Sequence, residues 1–570
     1  MAAELPLIVQ SDRTMLLEAD HPAFEEARDA LAGFAELVTS PEHYHTYRLT
    51  PISLWNAASA GLKAQDVIGT LKRFSRYPIP ENILYDIGDQ MARYGRLRLV
   101  EHEADLALEA EDELLITQFL SDKRIQPLLG RRLGKRRVGV PRRNRGLLKQ
   151  ALIRRDYPVE DLSGYVDGKA LEIELRERTT SGGEFFLRNY QRQAVEVFHA
   201  GGSARGGSGV LVLPCGAGKT VIGLGIMARF RQQTLILTTS ITALRQWRDE
   251  LLDKTTLGPE AIGEYSGEIK EIRPVTITTY QILTYHKRKD EDFLHMGLFE
   301  SQDWGLIIYD EVHLLPAPVF RAVADLQARR RLGLTATLLR EDGREADVFS
   351  LIGPKKLDTP WKTLEKQGWI AQALCHELRV PLPEKLRLDY AVADAKAKFR
   401  LASENEAKLE VAAHLIERHA DDQILIIGQY LDQLEIVARR FQAPLITGKT
   451  PSEERERIYA EFNQGRLKLI VVSKVANFAV DLPSASVAIQ ISGTFGSRQE
   501  EAQRLGRILR PKQDGKRAHF YSIVTEDSRE REFAQKRQLF LTEQGYRYRI
   551  LRGADGLRTV PPADGQRLIG

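Results

Sequence analysis

One stretch limits what this chain can fold into more than any other. The apolar run Gly209-Val-Leu-Val-Leu213 passes directly into Pro214-Cys-Gly-Ala-Gly-Lys-Thr220, which opens an apolar stretch with helical texture. A near-continuous apolar strand feeding a helix belongs in a parallel sheet covered on both faces. The turn itself suits a phosphate. Gly216 and Gly218 let backbone N–H groups wrap an anion, and the helix N-terminus adds partial positive charge. Pro214, Cys215 and Ala217 complete the loop. Lys219 brings a point charge to the β- and γ-phosphates of ATP, and the Thr220 hydroxyl is a candidate Mg2+ ligand. The strict pattern has glycine at position 213, where this chain has leucine. The bland alternative is a glycine-rich turn beside a surface lysine.

The same texture recurs along the chain. Short β-rich runs alternate with helical patterns at Thr234-Leu-Ile-Leu-Thr238, Val275-Thr-Ile-Thr278, Gly305-Leu-Ile-Ile-Tyr309 and Arg331-Leu-Gly-Leu334. The series restarts with Gln423-Ile-Leu-Ile-Ile427, Leu467-Lys-Leu-Ile-Val-Val472, Val487-Ala-Ile-Gln-Ile491 and His519-Phe-Tyr-Ser-Ile-Val524. Two such series predict an α/β chain with two parallel-sheet domains in tandem. A length of 570 residues leaves room for further modules before them. The expected division is 1–100, 101–178, 179–352, 353–552 and a tail at 553–570. No repeat of fixed period is visible, which argues against a solenoid. The segment Pro381 to Glu406 reads as a linker with a small helical insertion.

Two further constellations carry chemistry. Asp310-Glu-Val-His313 sits at the C-terminal end of an apolar run, where open α/β sheets bind ligands. Asp310 is a candidate for holding Mg2+ through water, and Glu311 for orienting or deprotonating an attacking water. An acidic helix cap is the bland reading. In Gln503-Arg-Leu-Gly-Arg-Ile-Leu-Arg510, the arginines 504, 507 and 510 share a helical face. A guanidinium suits the charge that develops on a transferring phosphoryl group, so Arg507 and Arg510 are arginine-finger candidates. A solvated basic face is the alternative. Together the three features are expected to place a nucleotide between two domains.

Two cysteines, Cys215 and Cys375, exclude a disulfide framework or a four-cysteine zinc site, and fit a reducing compartment. The histidines show no metal-binding spacing. The N-terminus lacks signal-peptide character, and the most apolar window contains Lys219, so no membrane partner is expected.

These residues resemble helicase superfamily 2 and, within it, the XPB family of DNA repair helicases. Pro214 to Thr220 is similar to motif I, Thr238 to Trp247 to motif Ia, Asp310 to His313 to motif II and Thr335-Ala-Thr337 to motif III. Val472 to Pro483 is similar to motif V, and Gln503 to Arg510 to motif VI. Leu187-Arg-Asn-Tyr-Gln191 is similar to the Q-motif segment. The resemblance implies that Gln191 reads adenine, with Arg188 and Gln503 also at the nucleotide. Arg340-Glu341-Asp342 resembles the RED motif of XPB. Tyr47-Arg-Leu-Thr-Pro-Ile-Ser-Leu54 resembles the family's N-terminal module, and Glu101 to about Glu177 its damage-recognition-like module.

The family implies two RecA-like domains, ATP with Mg2+, and 3′–5′ movement on DNA in excision repair. It also implies a thumb-like insertion near 381–406 and a candidate partner nuclease of the Bax family. A compact chain without a long acidic linker points to a prokaryotic, cytoplasmic, nucleoid-associated protein. Superfamily 2 enzymes hold one strand mainly through phosphates. That implies DNA contacts at Thr239, Ser240, Arg245, Ser473 and Lys474, and a role for Arg340, Glu341 and Asp342 in strand separation. Trp247 is expected either to stack or to pack as a core aromatic.

Charge is unevenly spread. Glu101 to Glu113 carries seven carboxylates and no Lys or Arg, whereas Lys123 to Arg155 carries thirteen Lys and Arg and no Asp or Glu. The basic block is either an electrostatic footprint for duplex DNA or a surface folded against the acidic strip. The expected activity is an ATP-dependent 3′–5′ DNA helicase or translocase acting on single-strand and duplex DNA. The alternatives are a DNA-stimulated ATPase that remodels duplex, an RNA helicase, and a scaffold that switches a partner nuclease.

Overall fold

The computed structural model describes residues 5–40, 43–285, 294–316, 319, 323, 329–337, 344–473, 485–493, 501, 504–506, 508–509 and 517–552. They form two compact units, one carrying three sheets and the other a fourth.

The first unit begins with β1 (Leu7–Val9), β2 (Thr14–Glu18), β3 (Glu36–Thr39) and β4 (Tyr44–Arg48), ordered β1-β2-β4-β3. The helix Pro51–Ser59 follows, set by Thr50, whose hydroxyl accepts the Ser53 N–H while the Ser53 hydroxyl caps the Thr50 N–H. A second sheet contains β5 (Leu97–His102), β6 (Asp105–Ala110), β7 (Arg132–Gly134), β8 (Arg137–Val140) and β9 (Val159–Asp161), ordered β7-β8-β6-β5-β9. Its alternation is regular: Leu97 and Leu99 of β5, Leu106 and Leu108 of β6 and Val138 and Val140 of β8 are buried in one cluster. Acidic β6 lies antiparallel to basic β8, with Glu109 opposite Arg137. The acidic strip and the basic block are therefore neighbouring strands of one sheet.

The third sheet contains β10 (Ser208–Val212), β11 (Thr234–Thr238), β12 (Ile262–Tyr265), β13 (Val275–Thr279), β14 (Leu306–Asp310), β15 (Arg330–Thr335) and β16 (Lys355–Asp358). Every pairing is parallel, in the order β12-β13-β11-β14-β15-β10-β16. Strands β10, β11 and β13 are buried at every position, as the sequence pattern predicts for a doubly covered sheet. β16 pairs with β10, so this sheet runs past the expected division at 352.

The second unit holds β17 (Ala373–Val380), β18 (Ile424–Gly428), β19 (Leu445–Ile446), β20 (Leu469–Ser473), β21 (Val487–Gln490), β22 (Ala518–Thr525) and β23 (Tyr548–Arg552). They pair in parallel in the order β19-β20-β18-β21-β22-β17-β23. The segment after β17 forms two helices, Glu384–Val392 and Ala395–Ser403. Asp394 caps the second through the N–H groups of Lys396 and Ala397. The tandem α/β architecture read from the sequence is the one observed. Among the described residues, no helix is long and apolar enough to cross a membrane.

Candidate nucleotide site

The order β14-β15-β10 brings three strand ends side by side. β10 ends at the glycine loop, β14 at Asp310 and β15 at Thr335. This is the carboxyl edge of a parallel sheet, where ligands of such folds sit.

The loop is shaped by its glycines. Gly216 and Gly218 hold φ values of 80° and 75°, a left-handed conformation that favours glycine. A Cβ on Gly218 would stand 2.6 Å from Gln191 Nε2, so the loop can lie against this glutamine only without a side chain there. Gln191 is buried, and its Oε1 accepts the Arg188 N–H at 2.9 Å, which caps the helix Asn189–His199. The expected base-reading glutamine and the phosphate loop thus touch. Ala217 is fully buried, and Lys219 and Thr220 form the first turn of the helix Lys219–Phe230.

Across the strand ends, Lys219 Nζ lies 3.2 Å from Glu311 Oε1, with both side chains mostly buried. Glu311 itself adopts φ 50°, uncommon for a residue with a side chain and of the kind found at functional sites. Its N–H donates to Asp310 Oδ1 at 3.1 Å, and Trp247 Nε1 donates to Asp310 Oδ2 at 3.0 Å. Tyr280 donates its hydroxyl to the Asp310 carbonyl at 2.9 Å. The two adjacent carboxyls separate in their acidity. Burial and the neighbouring Glu311 charge push Asp310 up to about 6. Burial opposes ionisation of Glu311 too, but Lys219 and His313 hold it below the usual carboxylate range.

The third strand end ties these groups together. Thr335 Oγ1 lies 2.7 Å from His313 Nδ1 and 3.4 Å from Glu311 Oε2, and it accepts the Thr337 N–H at 3.1 Å. The residues similar to motif III therefore brace those similar to motif II.

The oxygen donors suit a hard divalent cation: Asp310 adjoins Glu311, which meets Lys219 of the helix turn that carries Thr220, and a Cβ on Gly218 of the neighbouring loop would meet Gln191. Asp310 and Thr220 are the residues that would hold Mg2+ delivered with ATP.

Trp247 settles as a core aromatic. It is 1% exposed, so it offers no face for a base. Its role at Asp310 escapes the sequence, but a signal was present. Gly223 lies inside a helix, where glycine costs about 1 kcal/mol relative to alanine. A Cβ there would stand 2.4 Å from Trp247 Cη2. The glycine lets the indole reach Asp310.

The remaining candidates are placed as follows. Thr239 and Ser240 lie at the end of β11, where Ser240 caps the helix Ile241–Lys254 through the Ala243 N–H, and Arg245 is half-buried on that helix. Cys215 is half-buried, whereas Ser473 is buried at the end of β20. Arg504 is buried in the second unit and donates to Gln490 Oε1. Arg340, Glu341, Asp342, Lys474, Gln503, Arg507 and Arg510 lie outside the described residues.

Comparison with known proteins identifies the family. The ERCC3/RAD25/XPB C-terminal helicase family matches residues 364–563, the type III restriction enzyme res subunit family residues 184–340, and a helicase conserved C-terminal domain family residues 7–134. The chain is 55% identical to the DNA 3′–5′ helicase XPB of Kineococcus radiotolerans, over 98% of this chain and 99% of the relative. It is 54% identical to the protein of the same name from Mycobacterium tuberculosis, over 97% and 98%. It is also 34% identical to the general transcription and DNA repair factor IIH helicase/translocase subunit XPB of Antonospora locustae, over 97% of this chain and 82% of that one. With such identity along nearly its whole length, the chain belongs to the XPB family of DNA helicases.

Proposed function

We propose that this chain is an ATP-driven 3′–5′ DNA helicase or translocase that opens duplex DNA in excision repair or related processing. The observation that carries the reading is the linked set at the three strand ends, with Lys219 3.2 Å from Glu311 and Asp310 held by Trp247. The loop from Pro214 to Thr220 holds the phosphates, and Gln191 with Arg188 faces the base. Lys219 leaves its Glu311 partner for the β- and γ-phosphates. Glu311, kept ionised, is then free to orient or deprotonate the attacking water. Asp310 and Thr220 would hold Mg2+, which would neutralise charge on the phosphate oxygens. Arg507 and Arg510, with Gln503, act on the γ-phosphoryl group. Thr239, Ser240, Arg245, Ser473 and Lys474 hold a DNA strand. Arg340, Glu341 and Asp342 serve strand separation.

The test is steady-state ATP hydrolysis by the full chain without nucleic acid and with single-strand DNA, duplex DNA or RNA. DNA-stimulated turnover that disappears in Lys219→Ala is the expected result. Stimulation by RNA and not by DNA overturns the substrate assignment. Turnover unaffected by Lys219→Ala overturns the site. Replacing Arg340, Glu341 and Asp342 by alanine is expected to lower unwinding more than ATP turnover, and equal losses would count against a dedicated role in strand separation.

A further inference from the structure

At the opposite end of β10 from the phosphate loop lies a second cavity, of about 350 Å3, lined in part by Ser208, the first residue of that strand. β10 has five residues, so at about 3.3 Å per residue the two places are separated by roughly 15 Å of strand. The cavity is walled by three parts of the first unit: the end of the helix Pro51–Ser59, the second sheet around β9, and the turns flanking β10 and β16.

Its lining is basic. Arg98, Lys149, Arg205 and Lys356 face it, against only Glu160 and Asp161. Both carboxylates are already engaged. Glu160 meets Arg98 at 3.3 Å and Arg205 at 3.1 Å. Asp161 accepts from Lys149 at 2.8 Å, from Ser163 at 2.7 Å and from Arg145 through two bonds of 3.0 Å. Lys356 donates to the Arg205 carbonyl at 2.8 Å and makes no ion pair with a described carboxylate. Its stem is laid in by the backbone: a Cβ on Gly209 would stand 2.5 Å from Lys356 Cγ, so β10 carries a glycine where this lysine crosses.

We infer that this cavity is a binding site for a small phosphorylated molecule, separate from the ATP site. A phosphate would give Lys356 the anion it lacks and share Lys149 with Asp161, and charge-assisted bonds to phosphate are strong. The volume, at the lower end for small-molecule sites, suits a mononucleotide or smaller. Tyr94, Tyr165 and Phe349 supply aromatic wall for an attached ring, with Tyr94 edge-on to Phe349 at 6.3 Å. Burial already holds Lys149 down to about 8 and Lys356 below the usual lysine range, so both gain from an anion.

The experiment uses the full chain carrying Lys219→Ala, which weakens the phosphate loop and leaves this cavity untouched, in the absence of Mg2+. Pyrophosphate and AMP are titrated by calorimetry. One site is expected, weakened at least tenfold when Lys356→Met or Arg98→Ala is added. A measurement that needs no variant runs alongside: acetylation of Lys356, followed by mass spectrometry, is expected to slow several-fold when pyrophosphate is added. No binding, or binding that neither Lys356→Met nor Arg98→Ala weakens, overturns the proposal. Protection of Lys356 by a 5′-phosphorylated oligonucleotide but by neither small probe overturns it as well, in favour of a DNA end.

Discussion

At the scale of single residues, the site is a chain of contacts from Trp247 through Asp310 and Glu311 to Lys219. Each link predicts a separable defect. Glu311→Gln keeps the shape but removes the carboxylate proposed as the base, so nucleotide binding should survive while turnover falls by about 10²–10⁴-fold, the usual worth of general acid–base catalysis. Loss of both together in a binding and turnover assay would refute that role. Trp247→Phe keeps most of the buried surface and deletes one N–H to a carboxylate. A hydrogen bond to a charged group is worth about 1.5–3 kcal/mol, so turnover should drop at least about tenfold. Unchanged turnover would mean that Asp310 is held well enough without the indole. The two residues were not equally legible. The position of Glu311 could be read because a carboxylate pair that ends an apolar run after a phosphate loop marks the carboxyl edge of a parallel sheet. Trp247 could not be read as an Asp310 anchor, because the two are 63 positions apart and meet only after β11 and β14 pair.

At the scale of elements, the strands with long apolar runs were legible, whereas β17 was not. β17 contains His376, Glu377 and Arg379, which break the apolar run. The sheet accepts Glu377 because Arg379 of the same strand donates to it at 2.7 Å and the distant Gln538 donates through Nε2 at 2.7 Å. His376 stacks on Tyr521 of the neighbouring strand at 4.9 Å, and His419 joins Tyr521 through a 2.9 Å hydrogen bond. This aromatic stack has a pH consequence. Burial first, then Arg549, Arg418 and His419, pushes His376 down to about 4, and burial with the other two histidines pushes His519 down to about 3. Both are neutral in the fold. Their folded values lie below the unfolded one, so the stability they contribute is complete above pH 6.5 and is lost as pH falls towards 4. At about 1.4 kcal/mol per unit, His376 alone accounts for at most roughly 3 kcal/mol. Hydrogen exchange along β17 and β22, corrected for intrinsic rates, should therefore accelerate between pH 6.5 and 4. His376→Phe keeps a stacking ring without a titrating group and should flatten that dependence; the same slope in the variant would put the acid sensitivity elsewhere.

At the scale of the whole molecule, the sequence's charge asymmetry becomes a structural arrangement. The tandem α/β architecture was legible because fully buried parallel strands leave an unbroken apolar trace, as in β10 and β18. The relation between the acidic strip and the basic block was not, since it depends on β6 lying beside β8. In the fold, Glu101 meets Arg142, Glu109 meets Arg137 at 3.0 Å and Glu113 meets Arg132 at 2.8 Å, every side chain being between 38% and 50% exposed. Exposed pairs like these contribute about 0–1 kcal/mol each, so the sheet does not depend on them. The carboxylates nevertheless neutralise three arginines of the basic block. Lys123, Arg124, Arg131, Lys135, Arg136 and Arg143 are exposed on the same module. If duplex DNA lies on this module, replacing Glu101, Glu109 and Glu113 together by glutamine releases three cations to it. Affinity for duplex should then rise, and the dependence of log K on log salt should steepen by roughly 2–3, because each phosphate neutralised contributes about 0.9 to the slope. Fluorescence anisotropy between about 50 and 200 mM salt measures both quantities. A tighter complex with an unchanged slope would point to a conformational effect. No change in either would mean that the basic block serves the acidic strip alone, and that DNA reaches the protein through other surfaces.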